Sequence, residues 1–197
     1  MSEPVRITVP DDVARLRDLR AGTAVLLSGP VYTARDATHV RLVQDLEEGT
    51  LPLDLHDQVL FYAGPTPAAA GRPVGSVGPT TASRMDAWTP QLLEAGVAAT
   101  IGKGVRSRSV HKACVANNAV YLAAVGGIAA LLATCVRSSE VVAYGDLGAE
   151  ALVRMELEEF PVWVAIDATG ADRYEQARAE WAIVASPVSE GEGECSS

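Results

Sequence analysis

The stretch from residue 23 to residue 48 reads TAVLLSGPVYTARDATHVRLVQDLEE and contains the pattern that decides the fold. Its first six residues, Thr23–Ser28, form a continuous apolar run of strand length that stops at Gly29–Pro30. From Ala34 to Glu48 the apolar residues recur at helical spacing. A buried strand followed by a polar turn and an amphipathic helix predicts an α/β fold.

The same alternation continues on both sides of this stretch. Further strands are predicted at Val5–Val9, Val59–Ala63, Val97–Ile101, Ala119–Ala124, Glu140–Tyr144 and Val162–Asp167. Helical patterns lie between them, and one of these starts at Thr80 and ends before Gly96. We therefore expect one α/β domain over residues 1–185, with a mixed sheet and flanking helices. Residues 186–197, SPVSEGEGECSS, offer little apolar surface and are predicted to form a disordered tail.

The net charge of −9 limits the classes of partner. It argues against nucleic-acid binding through a basic surface. It also repels a small anion at long range, so a site for an anionic substrate would need arginine and lysine at short range. The chain shows neither an apolar signal sequence nor a run of about 18 apolar residues, which predicts a cytoplasmic protein without membrane contact. Three scattered cysteines, Cys114, Cys135 and Cys195, predict no metal site in this chain.

Polar turns follow three of the predicted strands directly, after Ser28, Ala63 and Ile101. If those strands are parallel, the turns meet at one edge of the sheet, where α/β proteins bind ligands. The second turn leads into a loop rich in glycine and proline, from Gly64 to Pro79. A connection of that length inside one domain is uncommon and is usually functional.

The segment GPTTASRMD, residues 78–86, contains the first candidate site. In the predicted helix, Thr80 and Arg84 are four residues apart and share one face, next to free N–H groups at the helix start. A guanidinium beside a hydroxyl can hold a carboxylate. The alternative is that Thr80 or Thr81 only caps the helix and Arg84 is a surface cation.

Further candidate cations follow other strands. Lys103 lies between two glycines at a strand end, where it is either a ligand for an anion or a solvated turn residue. Arg35 opens the helix after the second strand and could hold a second carboxylate. His39 could orient a neighbour or serve packing alone. Together these cations and hydroxyls suit a small dicarboxylate, although the chain lacks an electrophile for a leaving hydroxyl.

Four strings in the chain closely resemble the C-terminal domain of class I fumarases. They are LLSGPVYTARDATH (26–39), YAGPTPAAAGRPVGSVGPTTASRMD (62–86), IGKG (101–104) and AVYLAAVGGIAALLA (119–133). The same unit occurs as the separate β subunit of two-subunit fumarases and L-tartrate dehydratases. The resemblance runs from about Val5 to Tyr174 and is far more specific than a single glycine motif.

The resemblance implies a swivelling β/β/α domain and a partner α subunit that holds a [4Fe–4S] cluster through three cysteines. Arg35, Arg84 and Lys103 match the family's carboxylate-binding cations. Thr80 matches the proposed base, and Thr81 its neighbour in the substrate pocket. The resemblance therefore implies catalytic roles for Thr80 and Lys103, substrate binding by Arg35, Thr81, Arg84 and Lys103, and no metal ligand in this chain.

The strings TARDATH, GPTPAAAGRP and AVGGIAALLA look more like the fumarase branch of the family than the tartrate branch. The predicted reaction is the reversible hydration of fumarate to (S)-malate, a step of the tricarboxylic acid cycle. The alternatives are an L-tartrate dehydratase β subunit and a non-catalytic anion-binding or assembly module of the same fold. The chain is expected to be inactive alone and to form a homodimer or an α2β2 assembly.

Overall fold

The alternation of strands and helices is present in the computed structural model, which describes residues 3–182. Within these residues the strands are β1 (Val5–Thr8), β2 (Ala24–Thr33), β3 (Val59–Phe61), β4 (Ala99–Gly102), β5 (Val120–Ala123), β6 (Val136–Ala143) and β7 (Leu152–Ile166). The α-helices are α1 (Val13–Arg17), α2 (Asp36–Glu48), α3 (Thr89–Glu94), α4 (Arg108–Ala116), α5 (Ala129–Leu132) and α6 (Arg173–Trp181). The predicted α/β class, with a mixed sheet and flanking helices, is confirmed.

The sheet combines a parallel part with one long antiparallel strand. Strands β1 to β5 pair in parallel in chain order, whereas β7 runs antiparallel to β2, β5 and β6. The pairing of β2 with β7 closes the sheet. Its register passes from Thr33 across β3, β4 and β5 to Val164, which pairs with Thr23 just before β2 begins. Closure leaves β3, β4 and β5 without a free edge.

The two faces of the sheet belong to two hydrophobic clusters. In β3, Val59 and Phe61 enter the first cluster, whereas Leu60 and the following Tyr62 enter the second. The second cluster also contains buried residues of α2, α3 and α4. Because both faces of the central strands are covered, these strands appear in the sequence as continuous apolar runs rather than as alternating ones.

Three strands are longer than the sequence predicts, and one of them is β6, which starts at Val136 instead of Glu140. β7 starts at Leu152, ten residues before the predicted start, and several of its acidic side chains lie on the partly exposed face. β2 continues through Gly29–Pro30 to Thr33. Gly29 has a φ of +101° at an irregularity in the pairing with β7, and a Cβ there would lie 2.0 Å from the carbonyl oxygen of Val9. Glycine lets the strand continue through this bulge.

The long loop from Gly64 to Pro79 is ordered by its own contacts. Thr66 and Ser76 are joined through both backbone and side chains, and Gly75 donates its N–H to the carbonyl of Thr66. Val74 and Val77 are buried in the first hydrophobic cluster. The loop therefore leads the chain away from β3 and returns it, in a fixed position, to the same end of the sheet.

Some predictions are not decided by this structure. The swivelling motion and the extent of the domain over residues 1–185 stay predictions, and the tail at 186–197 lies outside the described residues. Among residues 3–182, no helix has the length and apolar character needed to cross a bilayer.

Candidate active site

The candidate site lies where β3 and β4 end. Beyond the last paired residues of these two strands, the segment that contains Thr80 and Thr81 lies between Tyr62, which follows β3, and Lys103, which follows β4. Thr80 donates its N–H to the carbonyl of Tyr62 at 2.7 Å and accepts the Lys103 N–H at 3.1 Å. Ala82 then donates to the carbonyl of Lys103 at 2.9 Å, so Thr81 and Lys103 form a parallel bridge. The predicted hydroxyl and amine residues are thus neighbours in an extension of the sheet.

The prediction that Thr80 starts a helix is wrong. Only a short 3₁₀ turn, Ala82–Met85, follows Thr81, and the next α-helix begins at Thr89. Thr80 is extended because its N–H and C=O are both bonded to neighbouring strand ends, and these long-range hydrogen bonds override the local helical pattern. The predicted anion site of free helical N–H groups is therefore absent from this described segment.

Gly102 allows the inserted segment to approach β4 closely. A Cβ on Gly102 would lie 2.8 Å from the Cβ of Ala82 and 3.0 Å from Cδ2 of Tyr62. Both neighbours are fully buried, so neither can move aside freely. The glycine before Lys103 therefore matters for packing between strands, in addition to any flexibility that it gives the lysine.

Arg84 and Arg35 are brought together by Asp36. Arg84 donates Nε to Oδ1 of Asp36 at 2.9 Å, and its Nη2 lies 2.8 Å from Oδ2. Nη2 of Arg35 lies 3.7 Å from the same Oδ2. One carboxylate thus lies next to the guanidinium groups of both arginines that were predicted to bind a substrate carboxylate. It restricts the orientation of both groups.

A second carboxylate, Glu150, holds Arg35 from the other side. Its Oε1 lies 3.2 Å from Nη2 of Arg35, and its Oε2 accepts the Ala37 N–H at 2.9 Å. Thr38 also bonds to the carbonyl of Glu150. The connection between β6 and β7 is thereby fixed to the first turn of α2, where a negative charge is favourable.

These two carboxylates were missed by the sequence analysis. Asp36 could have been found, because it follows Arg35 directly and is acidic at a predicted helix start. Glu150 gives no such signal, since it is far from Arg35 in the chain and only the closed sheet brings them together. Arg35 and Arg84 are therefore fixed, partly neutralised cations rather than free ones.

Lys103 completes the group on the side of β4 and is exposed. Its aliphatic chain lies against Gly126, where an added Cβ would be 3.2 Å from Cδ and 3.4 Å from Nζ of Lys103. The backbone of Arg84 contacts Thr81 through an N–H···O distance of 3.4 Å. The structure therefore brings all five predicted residues into one connected set at one end of the sheet, which we call the rim: Arg35, Thr80, Thr81, Arg84 and Lys103.

His39 has a supporting position next to the rim. It is fully buried, and burial lowers its pKa to about 4, so the ring is neutral at neutral pH. Nδ1 lies 2.8 Å from the carbonyl of Arg35, and the ring packs edge-on against Tyr62. His39 thus contacts the backbone of Arg35, one turn earlier in α2, which fits the structural alternative for this histidine.

Metal-binding chemistry is not provided by the part of the chain that the structure describes. Within residues 3–182 no group of three or more His, Cys, Asp or Glu residues could hold a metal ion. Cys114 is buried, and burial raises the pKa of its thiol to about 11, which disfavours the thiolate that a metal needs. Cys135 is half-buried on another part of the fold, and Cys195 lies outside the described residues.

Comparison with known proteins identifies one matching family and several relatives. The family described as "Fumarase C-terminus" matches residues 2–177. The chain is 37% identical over 167 residues to the aerobic class I fumarate hydratase of Escherichia coli (strain K12), covering 83% of this chain and 30% of that protein. It is also 37% identical over 171 residues to the mitochondrial fumarate hydratase 1 of Leishmania major, covering 85% of this chain and 31% of that protein.

A second kind of relative is similar in length to this chain. The putative L(+)-tartrate dehydratase subunit beta of Methanocaldococcus jannaschii is 35% identical over 168 residues, covering 82% of this chain and 86% of that protein. The L(+)-tartrate dehydratase subunit beta of Escherichia coli (strain K12) is 34% identical, with 83% of each covered. The fumarate hydratases are much longer, and the chain spans about 30% of their length.

Proposed function

Because the chain belongs to the fumarase C-terminus family, we propose that it supplies the dicarboxylate-binding half of a hydro-lyase active site, for reversible hydration of fumarate to (S)-malate. The observation that carries this proposal is the assembly of the rim from segments far apart in the sequence. A four-carbon diacid needs two separated cationic contacts and a proton-transferring group between them. The rim offers groups of both kinds.

Substrate binding is assigned to the cations. The guanidinium groups of Arg35 and Arg84, held in place by Asp36, present planar donors suited to one carboxylate. Lys103, on the opposite strand end, provides a compact charge for the second carboxylate. Asp36 and Glu150 offset part of the positive charge of Arg35 and Arg84. The affinity for the diacid therefore depends on how the guanidinium groups are oriented as well as on the net charge of the site.

Proton transfer is assigned to Thr80. In dehydration its alkoxide takes the proton from carbon 3 of malate, the electrons of that C–H bond form the double bond, and the C–O bond at carbon 2 breaks. The departing hydroxide would be accepted by a Lewis acid of the partner subunit, take the proton from Thr80 and leave as water. Hydration is the reverse. An alkoxide is unfavourable at neutral pH, so this role requires that the neighbouring cations, Lys103 above all, stabilise the negative oxygen away from water.

The residues described here do not fit an iron–sulfur cluster, because the buried thiol of Cys114 and the distant Cys135 cannot provide a common set of ligands. We therefore assign the [4Fe–4S] cluster that the family implies to a partner α subunit. The steps assigned to this chain are substrate binding and proton transfer alone.

Exposed apolar side chains near Lys103 support a partner at the rim. Val105 is 42% exposed and Val125 is 45% exposed, and they belong to the segments that carry Lys103 and its neighbour Gly126. Leu131 of the adjoining α5 is 61% exposed. Apolar surface around a charged site marks a place where another protein surface docks and excludes water.

The test is anaerobic co-expression of this chain with a candidate cluster-bearing α subunit, followed by turnover assays with fumarate, (S)-malate and L-tartrate. We expect oxygen-sensitive turnover of fumarate and malate by the complex and none by the chain alone. Turnover of L-tartrate only would favour the alternative that the similar length of the tartrate dehydratase β subunits suggests. Binding of diacids without turnover by any complex would favour the non-catalytic module and contradict the proposal.

A further inference from the structure

Below the rim lies a buried cation that the proposed chemistry does not use. The guanidinium of Arg106 has no exposed side-chain surface, and its Nε donates to Oδ1 of Asp86 at 2.6 Å. Burial alone disfavours the charged form, but the surrounding Tyr62 and Asp86 outweigh it, so the pKa of Arg106 is raised above its ordinary value. The guanidinium of Arg106 is therefore charged at neutral pH.

Both terminal nitrogens of Arg106 also have hydrogen-bond partners. Nη2 donates to Oγ1 of Thr89 at 2.8 Å and lies 3.4 Å from the hydroxyl of Tyr62, and Nη1 lies 3.3 Å from Oγ1 of Thr100. The guanidinium carbon lies 5.2 Å from the ring centre of Tyr62 and 4.9 Å from that of Tyr121. One planar cation thus contacts four elements, through Tyr62 directly after β3, Thr100 in β4, Tyr121 in β5 and Thr89 at the start of α3.

The pair connects two of the three segments that form the rim, the one with Arg84 and the one with Lys103. Asp86 follows the turn that carries Arg84, and its Oδ2 also accepts the N–H of Ser107 at 2.6 Å. Arg106 lies three residues after Lys103. Tyr121, stacked on Arg106, donates its hydroxyl to the carbonyl of Gly104 at 2.9 Å. These two rim segments therefore each have one end in the sheet extension and the other end at the Asp86–Arg106 pair.

We propose that Asp86 and Arg106 are positioning residues that set the separation between Thr80 and Lys103 from below the rim; for catalysis, this rests on the proposed function. A buried ion pair contributes little net stability compared with apolar residues of similar size. A planar charge with several fixed partners is well suited to holding loops in one arrangement. An error of about 1 Å in such an arrangement can lower a rate about a hundredfold.

The test measures local order first and activity second. Amide hydrogen exchange is compared in the full chain, alone, for the wild type, Asp86→Asn and Arg106→Lys. The control is Asp167→Asn, which alters a buried carboxylate with several hydrogen bonds far from the rim. The amide of Lys103, bonded to Thr80, is expected to exchange about tenfold faster or more in Asp86→Asn and in Arg106→Lys. The control should leave its exchange rate unchanged.

In the complex with the α subunit, we expect Asp86→Asn and Arg106→Lys each to lose about a hundredfold in kcat, while KM changes less than about threefold. Arg106→Lys keeps the charge, so it also covers the case in which Asp86→Asn fails to fold. Unchanged protection of the Lys103 amide in both variants would overturn the proposal. If the wild-type complex converts no diacid, the proposed function fails, whereas the exchange result still decides whether the pair positions the rim.

Discussion

Lys103 donates its backbone N–H to the carbonyl of Thr80 at 3.1 Å, so the proposed amine and the proposed base are held in register by the sheet itself. Groups placed on strand extensions are more precisely positioned than groups on free loops. Backbone pairing therefore fixes the points from which both side chains start, and changes that disturb this pairing should affect activity even when they touch neither side chain.

Gly102→Ala tests this dependence on backbone pairing. The added methyl group would contact Ala82 and Tyr62 at 3.0 Å or less, so we expect the inserted segment to shift and the protein to lose about 1–3 kcal/mol of stability. Activity of the complex should fall further than stability explains. Gly145→Ala is the matched control, because its nearest neighbour would be 3.8 Å away. An active, fully stable Gly102→Ala protein would show that the close approach is unimportant.

Asp36→Asn tests whether the arginines work as fixed groups. The change removes a negative charge next to Arg35 and Arg84, which favours binding of a dianion, and it removes the fork that orients Arg84. We expect a lower KM and a kcat reduced about tenfold, measured on the complex at low and high salt. Asp146→Asn, which breaks the exposed pair with Arg41 on the same helix, should change neither constant. A kcat equal to that of the wild type would contradict the orienting role.

Leu131→Asp tests the proposed docking surface. A charge at this exposed position of α5 should leave the chain folded but weaken its association with the α subunit about tenfold or more. Val141→Asp is the control, since Val141 on β6 is 57% exposed, similar to Leu131 at 61%. Analytical ultracentrifugation of each variant with the α subunit gives the affinity. Equal weakening by both variants would place the interface elsewhere or over a much larger area.

His39 predicts how stability depends on pH. Burial lowers its pKa from 6.5 to about 4, so between these values the unfolded chain binds a proton that the folded chain does not. The contribution of His39 to the free energy of unfolding is fully present above pH 6.5 and falls as the pH drops towards 4. At pH 4.5 the loss is about 2 kcal/mol.

The measurement is the free energy of unfolding at pH 7 and pH 4.5 for the wild type and His39→Asn. The variant should lose less stability on acidification than the wild type. His56→Asn is the control, because the side chain of His56 is 70% exposed. An equal loss in wild type and His39→Asn would mean that His39 is protonated in the folded protein at pH 4.5.

Much of the fold could be predicted from the sequence because buried parallel strands have a plain signature. The apolar runs at β3, β4 and β5 and the helical spacing of α2 lie close to where the structure has them. The early part of β7 was missed, although its alternating apolar and charged residues are typical of a strand with one exposed face. Long-range pairing explains why Thr80 is extended rather than helical.

The residues of the site were predictable in position but not in environment. Their convergence follows from parallel strands that end at one edge, a rule that needs no knowledge of side-chain contacts. Asp36 could be found beside Arg35, but the contacts of Asp36 with Arg84, of Glu150 with Arg35 and of Asp86 with Arg106 join segments far apart in the chain. No local pattern reports such contacts, because charge pairing is set by the completed fold.

The decisive measurement is steady-state fumarate hydration by the anaerobically assembled complex, comparing the wild type with Thr80→Ala and with the chain without its partner. We predict turnover by the wild-type complex, none by the chain alone, and a loss of about a hundredfold or more in kcat for Thr80→Ala. Because both complexes have the same partner and the same fold, the difference in kcat measures the contribution of the Thr80 hydroxyl. A Thr80→Ala complex that hydrates fumarate at the wild-type rate would contradict the assignment of the rim as the proton-transfer site.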